Sequence, residues 1–259
     1  MISAQHPQCI VITGASSGIG AALARRYAAS GATLALVARR KLELERLAAG
    51  FSSPCEIYPL DVRDAAALAS AARHFVAAHG SPDIVIANAG ISVGTLTDYA
   101  GDTRVFQEVI DTNLIGMVNT FQPFVAGMRE ARHGILVGIA SVAGYRGLPG
   151  AAAYSASKAA AIAYLESLRV ELRASGVKVL TISPGFIATP LTEKNPYPMP
   201  FLMSAEEAAA KIGKRIASGQ SYSVIPWQMA IVARVLRVMP NWLYDPLLAG
   251  ARHKPRRHS

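Results

Sequence analysis

Short apolar runs and longer stretches with apolar residues every three or four positions alternate from residue 9 to residue 225. Cys9-Ile10-Val11-Ile12-Thr13 predicts a strand over 9–13. The run from Thr33 to Ala38 suits a strand buried on both faces, as strands of a parallel sheet are. Similar runs predict strands over 55–59, 84–87, 135–139, 177–182 and 222–225. Helical periodicity fills the gaps, over 18–30 (ended by Gly31), 41–49, 64–79 (Asp64 near its start), and about 102–132, 154–175 and 205–218. This alternation predicts an α/β fold: a single-domain, Rossmann-type, doubly wound parallel sheet of about seven strands with helices on both faces. No linker, repeat or low-complexity stretch interrupts it, so residues 1–225 are expected to form the domain and 226–259 a C-terminal extension.

At 259 residues, 51% of them hydrophobic, the chain can bury the core such a domain needs. Its charge is uneven. Residues 208–259 hold nine Lys and Arg against one acid, Asp245, whereas 1–207 are nearly balanced. That asymmetry implies a local patch facing something anionic, and no nucleic-acid module or aromatic–basic interleaving accompanies it. Cys9 and Cys55 lie in strand-like runs and read as small core hydrophobes with no metal-ligand spacing around them, which fits a reducing cytoplasm. Residues 1–7 lack a signal-peptide pattern, and the longest uncharged stretch, 216–233, is too polar and broken to span a bilayer. A cytoplasmic location is expected.

Thr13-Gly14-Ala15-Ser16-Ser17-Gly18-Ile19-Gly20 leaves the first predicted strand and opens the first helix. Glycines let the backbone turn sharply and approach a pyrophosphate, whose charge a helix N-terminus stabilises. Alone, such a turn can be a plain strand-to-helix connection; in the first βα turn of an alternating chain it points to a dinucleotide. The second strand ends Val37-Ala38-Arg39-Arg40, where an NAD site carries a carboxylate for the ribose 2′-hydroxyl. With no acid there, and two guanidiniums placed for a 2′-phosphate, NADP(H) is favoured over NAD.

Tyr154-Ser155-Ala156-Ser157-Lys158 places a phenol and an ammonium on one face of a helix start. A phenol with a pKa of about 10 is a poor base at neutral pH, and a neighbouring ammonium lowers that value. A phenol so tuned can deliver the proton that a carbonyl oxygen takes up as hydride reaches its carbon. In isolation the pair also fits an ordinary amphipathic surface.

Taken together, these motifs resemble the short-chain dehydrogenase/reductase family through nearly all of residues 9–226. Thr13-Gly14-x-x-x-Gly18-x-Gly20, with Ser16, Ser17 and Ile19 inside it, resembles the family's cofactor loop. Leu60-Asp61-Val62 resembles the segment whose Asp contacts adenine, and Asn88-Ala89-Gly90 the element that supports the sheet and lines the cofactor. Asn113 falls where the family has a catalytic Asn that holds a proton-relay water near Lys158. Ser141 matches the Ser that hydrogen-bonds the substrate oxygen. Pro184-Gly185, followed by Ile187 and Thr189, resembles the segment at the nicotinamide carboxamide. The resemblance thus implies a catalytic tetrad of Asn113, Ser141, Tyr154 and Lys158, with Tyr154 and Lys158 also on the cofactor side. It implies hydride exchange between a nicotinamide and a carbonyl or alcohol carbon, and a homodimer or homotetramer paired through the helices near 102–132 and 154–175. Many NADP-dependent members carry a basic residue before the middle glycine; Ser17 stands there here, which leaves the 2′-phosphate to Arg39 and Arg40. The rival reading, a non-catalytic NADP-binding regulator of the same fold, is disfavoured by the complete tetrad.

Loops beyond the strand ends, 91–97, 143–150 and 186–203, are expected to wall the substrate site. The last holds Phe186, Leu191, Tyr197, Met199, Phe201 and Leu202 among four prolines and suits a hydrophobic or lipid-like substrate, although the same residues could pack on the protein's own core. The extension predicts a short helix over 226–240, bracketed by Trp227 and Trp242. Val232, Val235, Leu236 and Met239 share one face and Arg234 and Arg237 another, and Arg252, Lys254, Arg256 and Arg257 follow. That pattern fits a helix in the interface of an anionic membrane; the alternative packs it on the domain or another subunit and leaves a disordered basic tail.

Overall fold

The computed structural model describes residues 8–193 and 195–257; residues 1–7, where the signal-peptide expectation falls, and 258–259 lie outside the described residues. Strands β1 (Cys9–Thr13), β2 (Thr33–Val37), β3 (Cys55–Tyr58), β4 (Ile84–Ala87), β5 (Ile135–Ile139), β6 (Lys178–Pro184) and β7 (Tyr222–Ile225) form one sheet. Their order is β3-β2-β1-β4-β5-β6-β7, and every pairing is parallel. Between them run α1 (Gly18–Ala29), α2 (Lys41–Ala48), α3 (Ala65–His79), α4 (Asp102–Ile110), α5 (Gly116–Ala131), α6 (Ala152–Glu171) and α7 (Ala205–Ala217). Helices α8 (Trp227–Val238) and α9 (Asn241–Leu248) follow the last strand.

Alternate side chains of the central strands feed two cores. Ile10, Ile12, Leu34, Leu36 and Ile86 pack with Leu23 of α1 and Ile212 of α7. Val11, Ala35, Val37 and Val85 face the other way, onto Phe75 of α3, Phe121 of α5 and Leu165 of α6. With both faces covered, β2 and β4 are buried at every position, which is why their sequences show no polar alternation. Cys9 and Cys55 are free, half-buried and packed against these cores. The strand order reverses between β1 and β4, so a crevice opens at their C-terminal ends.

The structure departs from the sequence pattern at several places. The long helix expected over 102–132 is split by a π-helical turn, Asp111–Ile115, which carries Asn113. Helix α6 starts at Ala152, earlier than the motif indicates, and Tyr154 falls in its first turn. The extension forms two helices, with Pro240 at the N-cap of α9. On α8, Met229 and Ala233 are buried and Val232, Leu236 and Met239 half-buried, whereas Val235, expected on their face, is exposed. The disordered basic tail is also corrected: Arg256 pairs with Asp102 and Arg257 with Glu108, two ion pairs that hold the chain end on the domain. Among the described residues no helix is long and apolar enough to cross a membrane.

Candidate active site

The crevice opens into a groove of about 1180 Å³. Gly14, Ser16, Ser17, Gly18 and Ile19 line one side, Arg39 and Arg40 the end of β2, Asp61 and Val62 the segment after β3, and Asn88, Ala89 and Gly90 the segment after β4. Thr189 reaches it from the 186–203 loop. Thr13 and Gly20 do not line the groove; they build its wall. The Thr13 hydroxyl accepts the N–H of Asn88 at 3.1 Å and of Ala89 at 3.3 Å, and Asn88 Nδ2 donates to the Thr13 and Gly14 carbonyls at 3.1 and 3.3 Å. A Cβ on Gly20 would lie 2.4 Å from the Gly14 carbonyl oxygen, so only glycine lets α1 start this close to the loop. Ser17, the N-cap of α1, makes no side-chain cap bond, which leaves first-turn N–H groups available to an anion.

Arg40 closes the outer end of the groove. Its Nη2 donates to Ser17 Oγ at 2.7 Å and to Ser16 Oγ at 2.9 Å, while Arg39 lies 3.8 Å from the Asp61 carboxylate. Asp61 is gripped by Arg63 at 2.7 Å, and that hydrogen bond holds its carboxyl below the usual range. Leu60, Ile91, Thr112, Pro190 and Leu191 also line the groove, and nothing in their residue types signals it.

A second, smaller pocket of about 530 Å³ adjoins the first, and Ile19, Asn88, Gly90, Thr189 and Leu191 face both. Ser141, Tyr154 and Lys158 line it together with Pro184, Gly185 and Ile187. Each comes from a different place in the chain: the end of β5, the first turn of α6, the next turn of α6 and the end of β6. Ser141 Oγ accepts the Ala143 N–H at 3.2 Å and lies close enough to the Tyr154 phenol to favour its ionised form. Lys158 Nζ donates to the Ile139 carbonyl at 2.7 Å and sits 5.9 Å from the centre of the Tyr154 ring. Burial pushes the Lys158 ammonium down to about 8. Burial also raises the Tyr154 phenol, with the neighbouring Ser141 hydroxyl opposing it. The lowering expected from Lys158 is not among the effects acting on the phenol in this arrangement, where the ammonium is turned to the Ile139 carbonyl.

Asn113 lines neither cavity. Fully buried, it accepts the Ile91 N–H at 2.8 Å and donates to the Ile91 carbonyl and Ser157 Oγ, each at 2.9 Å. It therefore braces the loop after β4 against α6. It is still near Lys158: a Cβ on Gly90 would lie 3.1 Å from Asn113 Oδ1 and 3.7 Å from Lys158 Nζ. In the 186–203 loop, Ile187 and Met203 are buried anchors, while Leu191, Phe201 and Leu202 are exposed rather than packed into the core. Tyr197 stacks near Phe186, ring centres 6.3 Å apart, and lies close enough to Tyr154 to raise its phenol further. Among the described residues no cluster of His, Cys, Asp and Glu could hold a metal ion.

A family model described as short chain dehydrogenase matches residues 8–198. An uncharacterized oxidoreductase of Myxococcus xanthus is 42% identical over 91% of this chain and 94% of its own length. The 2-dehydro-3-deoxy-L-rhamnonate dehydrogenase (NAD(+)) of a Sphingomonas species is 37% identical over 79% of this chain and 86% of its own. An alcohol dehydrogenase of the archaeon Thermococcus sibiricus, solved in complex with 5-hydroxy-NADP, superposes with a TM-score of 0.75 at 25% identity, covering 85% of this chain and 96% of its own.

Proposed function

The chain belongs to the short-chain dehydrogenase family, and from that premise we propose that it is an NADP(H)-dependent oxidoreductase acting reversibly on a carbonyl or secondary alcohol. The observation that carries this reading is that Ser141, Tyr154 and Lys158 meet in one pocket beside a groove of dinucleotide character. The open N-terminus of α1 suits a pyrophosphate. Arg40, bridging Ser16 and Ser17 with Arg39 beside it, suits a 2′-phosphate. The 5-hydroxy-NADP bound to the Thermococcus sibiricus neighbour agrees, and the NAD(+) of the Sphingomonas dehydrogenase makes the arginines the deciding feature.

When bound, the nicotinamide supplies or accepts the hydride. In the reductive direction Tyr154 gives its phenolic proton to the substrate oxygen, and the Ser141 hydroxyl donates a hydrogen bond that polarises the carbonyl. Lys158 steadies the phenolate and the nicotinamide ribose, and Asn113 holds the neighbouring loop and a relay water in register. The exposed apolar side chains of the 186–203 loop support a hydrophobic or lipid-like substrate. The exposed Phe106, Ile115 and Val170 on the α4–α6 side support a homodimer or homotetramer, which light scattering reads directly. The half-buried free thiols suit a reducing cytoplasm. With a panel of carbonyl substrates, Tyr154→Phe should lower kcat by ~10²-fold or more with NADPH binding nearly unchanged, and a variant keeping over about a tenth of wild-type kcat refutes the assignment.

A separate feature favours attachment to an anionic membrane surface. Trp227, Ile231, Val235 and Val238 run down one face of α8 and, with Trp242 and Leu247 of α9, are 50–80% exposed. Arg234, Arg237 and Arg252 are the exposed cations beside them. Lys254 is buried and Arg256 and Arg257 pair with acids, so the cationic set is smaller than the sequence suggests. Such a face sinks apolar side chains among acyl chains while arginines meet headgroups. Binding to phosphatidylglycerol vesicles should weaken with salt and vanish in the Trp227→Ser, Trp242→Ser double variant. Absence of binding at low salt sinks this reading.

A further inference from the structure

The three loops expected to wall the substrate side come from distant parts of the chain, and the C-terminal extension ties into every one of them. In the 143–150 loop, Arg146 Nη1 donates to the Leu236 and Met239 carbonyls at 3.1 and 2.6 Å, and the Tyr244 hydroxyl donates to the Gly147 carbonyl. In the 91–97 loop, the Gly94 N–H donates to the Pro255 carbonyl at 3.1 Å. The approach there is so close that a Cβ on Gly94 would lie 2.1 Å from the Lys254 carbonyl oxygen. In the 186–203 loop, Lys254 Nζ donates to the Leu191 carbonyl at 2.8 Å, and Arg252 reaches the Pro196 carbonyl at 3.4 Å.

The segment is firmly anchored. Arg256 grips Asp102 with two bonds of 2.8 and 3.2 Å, and its guanidinium lies 3.5 Å from the centre of the Tyr99 ring. Asp102 is itself buried and also accepts the Leu96 N–H at 2.9 Å, so anchor and loop share one carboxylate. From this anchor the chain runs back two residues to Lys254, which is 9% exposed. Burying an ammonium is costly unless its hydrogen bonds are used, and burial has already pushed this one down to about 8. Its acceptor is the backbone of Leu191, the residue that faces both the dinucleotide groove and the Tyr154 pocket.

We propose that residues 252–257 are a latch on the substrate lid: Arg256 fastens the segment to Asp102 and Tyr99, and Lys254 holds the 186–203 loop through the Leu191 carbonyl. The latch sets how closely the lid lies over the pocket and so selects which substrates fit. Its bearing on substrate choice rests on the oxidoreductase reading; the latch itself does not, and can be tested without turnover. Hydrogen exchange of the ligand-free, full-length protein is the test. Lys254→Met keeps the apolar stem and loses the donor, and should speed exchange of the amides of residues 187–199 at least about tenfold while the β1 and β4 amides keep wild-type rates. Gly94→Ala, which pushes on the Lys254–Pro255 backbone while leaving the Lys254 side chain and the lid residues unchanged, should do the same. Wild-type exchange of the lid in either variant overturns the latch. So does faster exchange spread through β1 and β4, because the segment would then be a general stabiliser. NADPH oxidation with 4-nitrobenzaldehyde as probe reports separately: a higher KM with unchanged NADPH affinity is expected in Lys254→Met, and no turnover even in wild type counts against the reaction while leaving the exchange result intact.

Discussion

Replacing Lys158 by methionine should change how stability depends on pH as well as removing activity. Lys158 is 4% exposed, and burial holds its pKa at about 8 against 10.5 for the free side chain. Between these values the unfolded chain holds a proton that the folded chain has released, so stability rises with pH there; below pH 8 the whole penalty of a buried ammonium is present. The gap corresponds to about 3 kcal/mol at pH 7 and about 2 kcal/mol at pH 9. Methionine keeps most of the volume and cannot ionise. It also leaves the Ile139 carbonyl without its 2.7 Å donor, a pH-independent cost of about 1–3 kcal/mol. The net change at pH 7 is therefore small, but its pH dependence is not. The stability of the variant minus that of wild type should fall by about 1 kcal/mol from pH 7 to pH 9. Urea unfolding of both ligand-free proteins at intervals across that range measures it. Lys254, also pushed to about 8, is common to both proteins and cancels in the difference. A flat difference curve would refute the buried-ammonium account.

Arg39→Ala combined with Arg40→Ala should weaken NADPH at least about tenfold and NADH by less than about threefold, because only NADPH offers the 2′-phosphate for charge-assisted bonds. Titration calorimetry with both cofactors decides it, and equal losses would remove these arginines from cofactor choice. At Glu56, burial pushes the carboxyl up, but the hydrogen bonds of Tyr58 and His79 and the charges of His79 and His74 outweigh it and hold it below its ordinary value. A lowered carboxyl stabilises the fold above its unfolded pKa and loses that contribution as pH falls through the folded value. Glu56→Gln should therefore be less stable than wild type by about 1 kcal/mol near neutrality and match it once Glu56 is protonated. A gap that stays constant through acid unfolding, followed by circular dichroism, contradicts this.

Much of the site was legible because its chemistry is local. The glycines of the 13–20 loop announce a backbone that must turn and pack closely, and Gly20 is where that need is tightest, against the Gly14 carbonyl. Tyr154 and Lys158 could be paired from their spacing alone, since helix geometry puts such residues on one face. Arg39 and Arg40 are positioned by the end of a strand whose apolar run is plain. Less legible was what lies between motifs. The π-helical turn that aims Asn113 at Ile91 and Ser157 leaves no mark in a hydrophobic pattern, because that pattern continues through it. Leu60, Ile91 and Leu191 line the groove only because strand ends and loops converge there.

By itself, the sequence determined the alternating strands and helices, the sheet buried on both faces, the glycine loop and the Tyr–Lys pair, all features set by neighbours within a few positions of one another. Only the tertiary structure decided the fate of the basic chain end. Lys254, Arg256 and Arg257 read as free cations in a run of like charge, yet they meet the Leu191 carbonyl, Asp102 and Glu108, each more than sixty residues away. Charge in a sequence gives sign and spacing; which acid or carbonyl meets a given cation depends on chain segments brought together by the packing of α4, the 186–203 loop and the extension, and that pairing turns an apparent tail into a segment fastened to the domain.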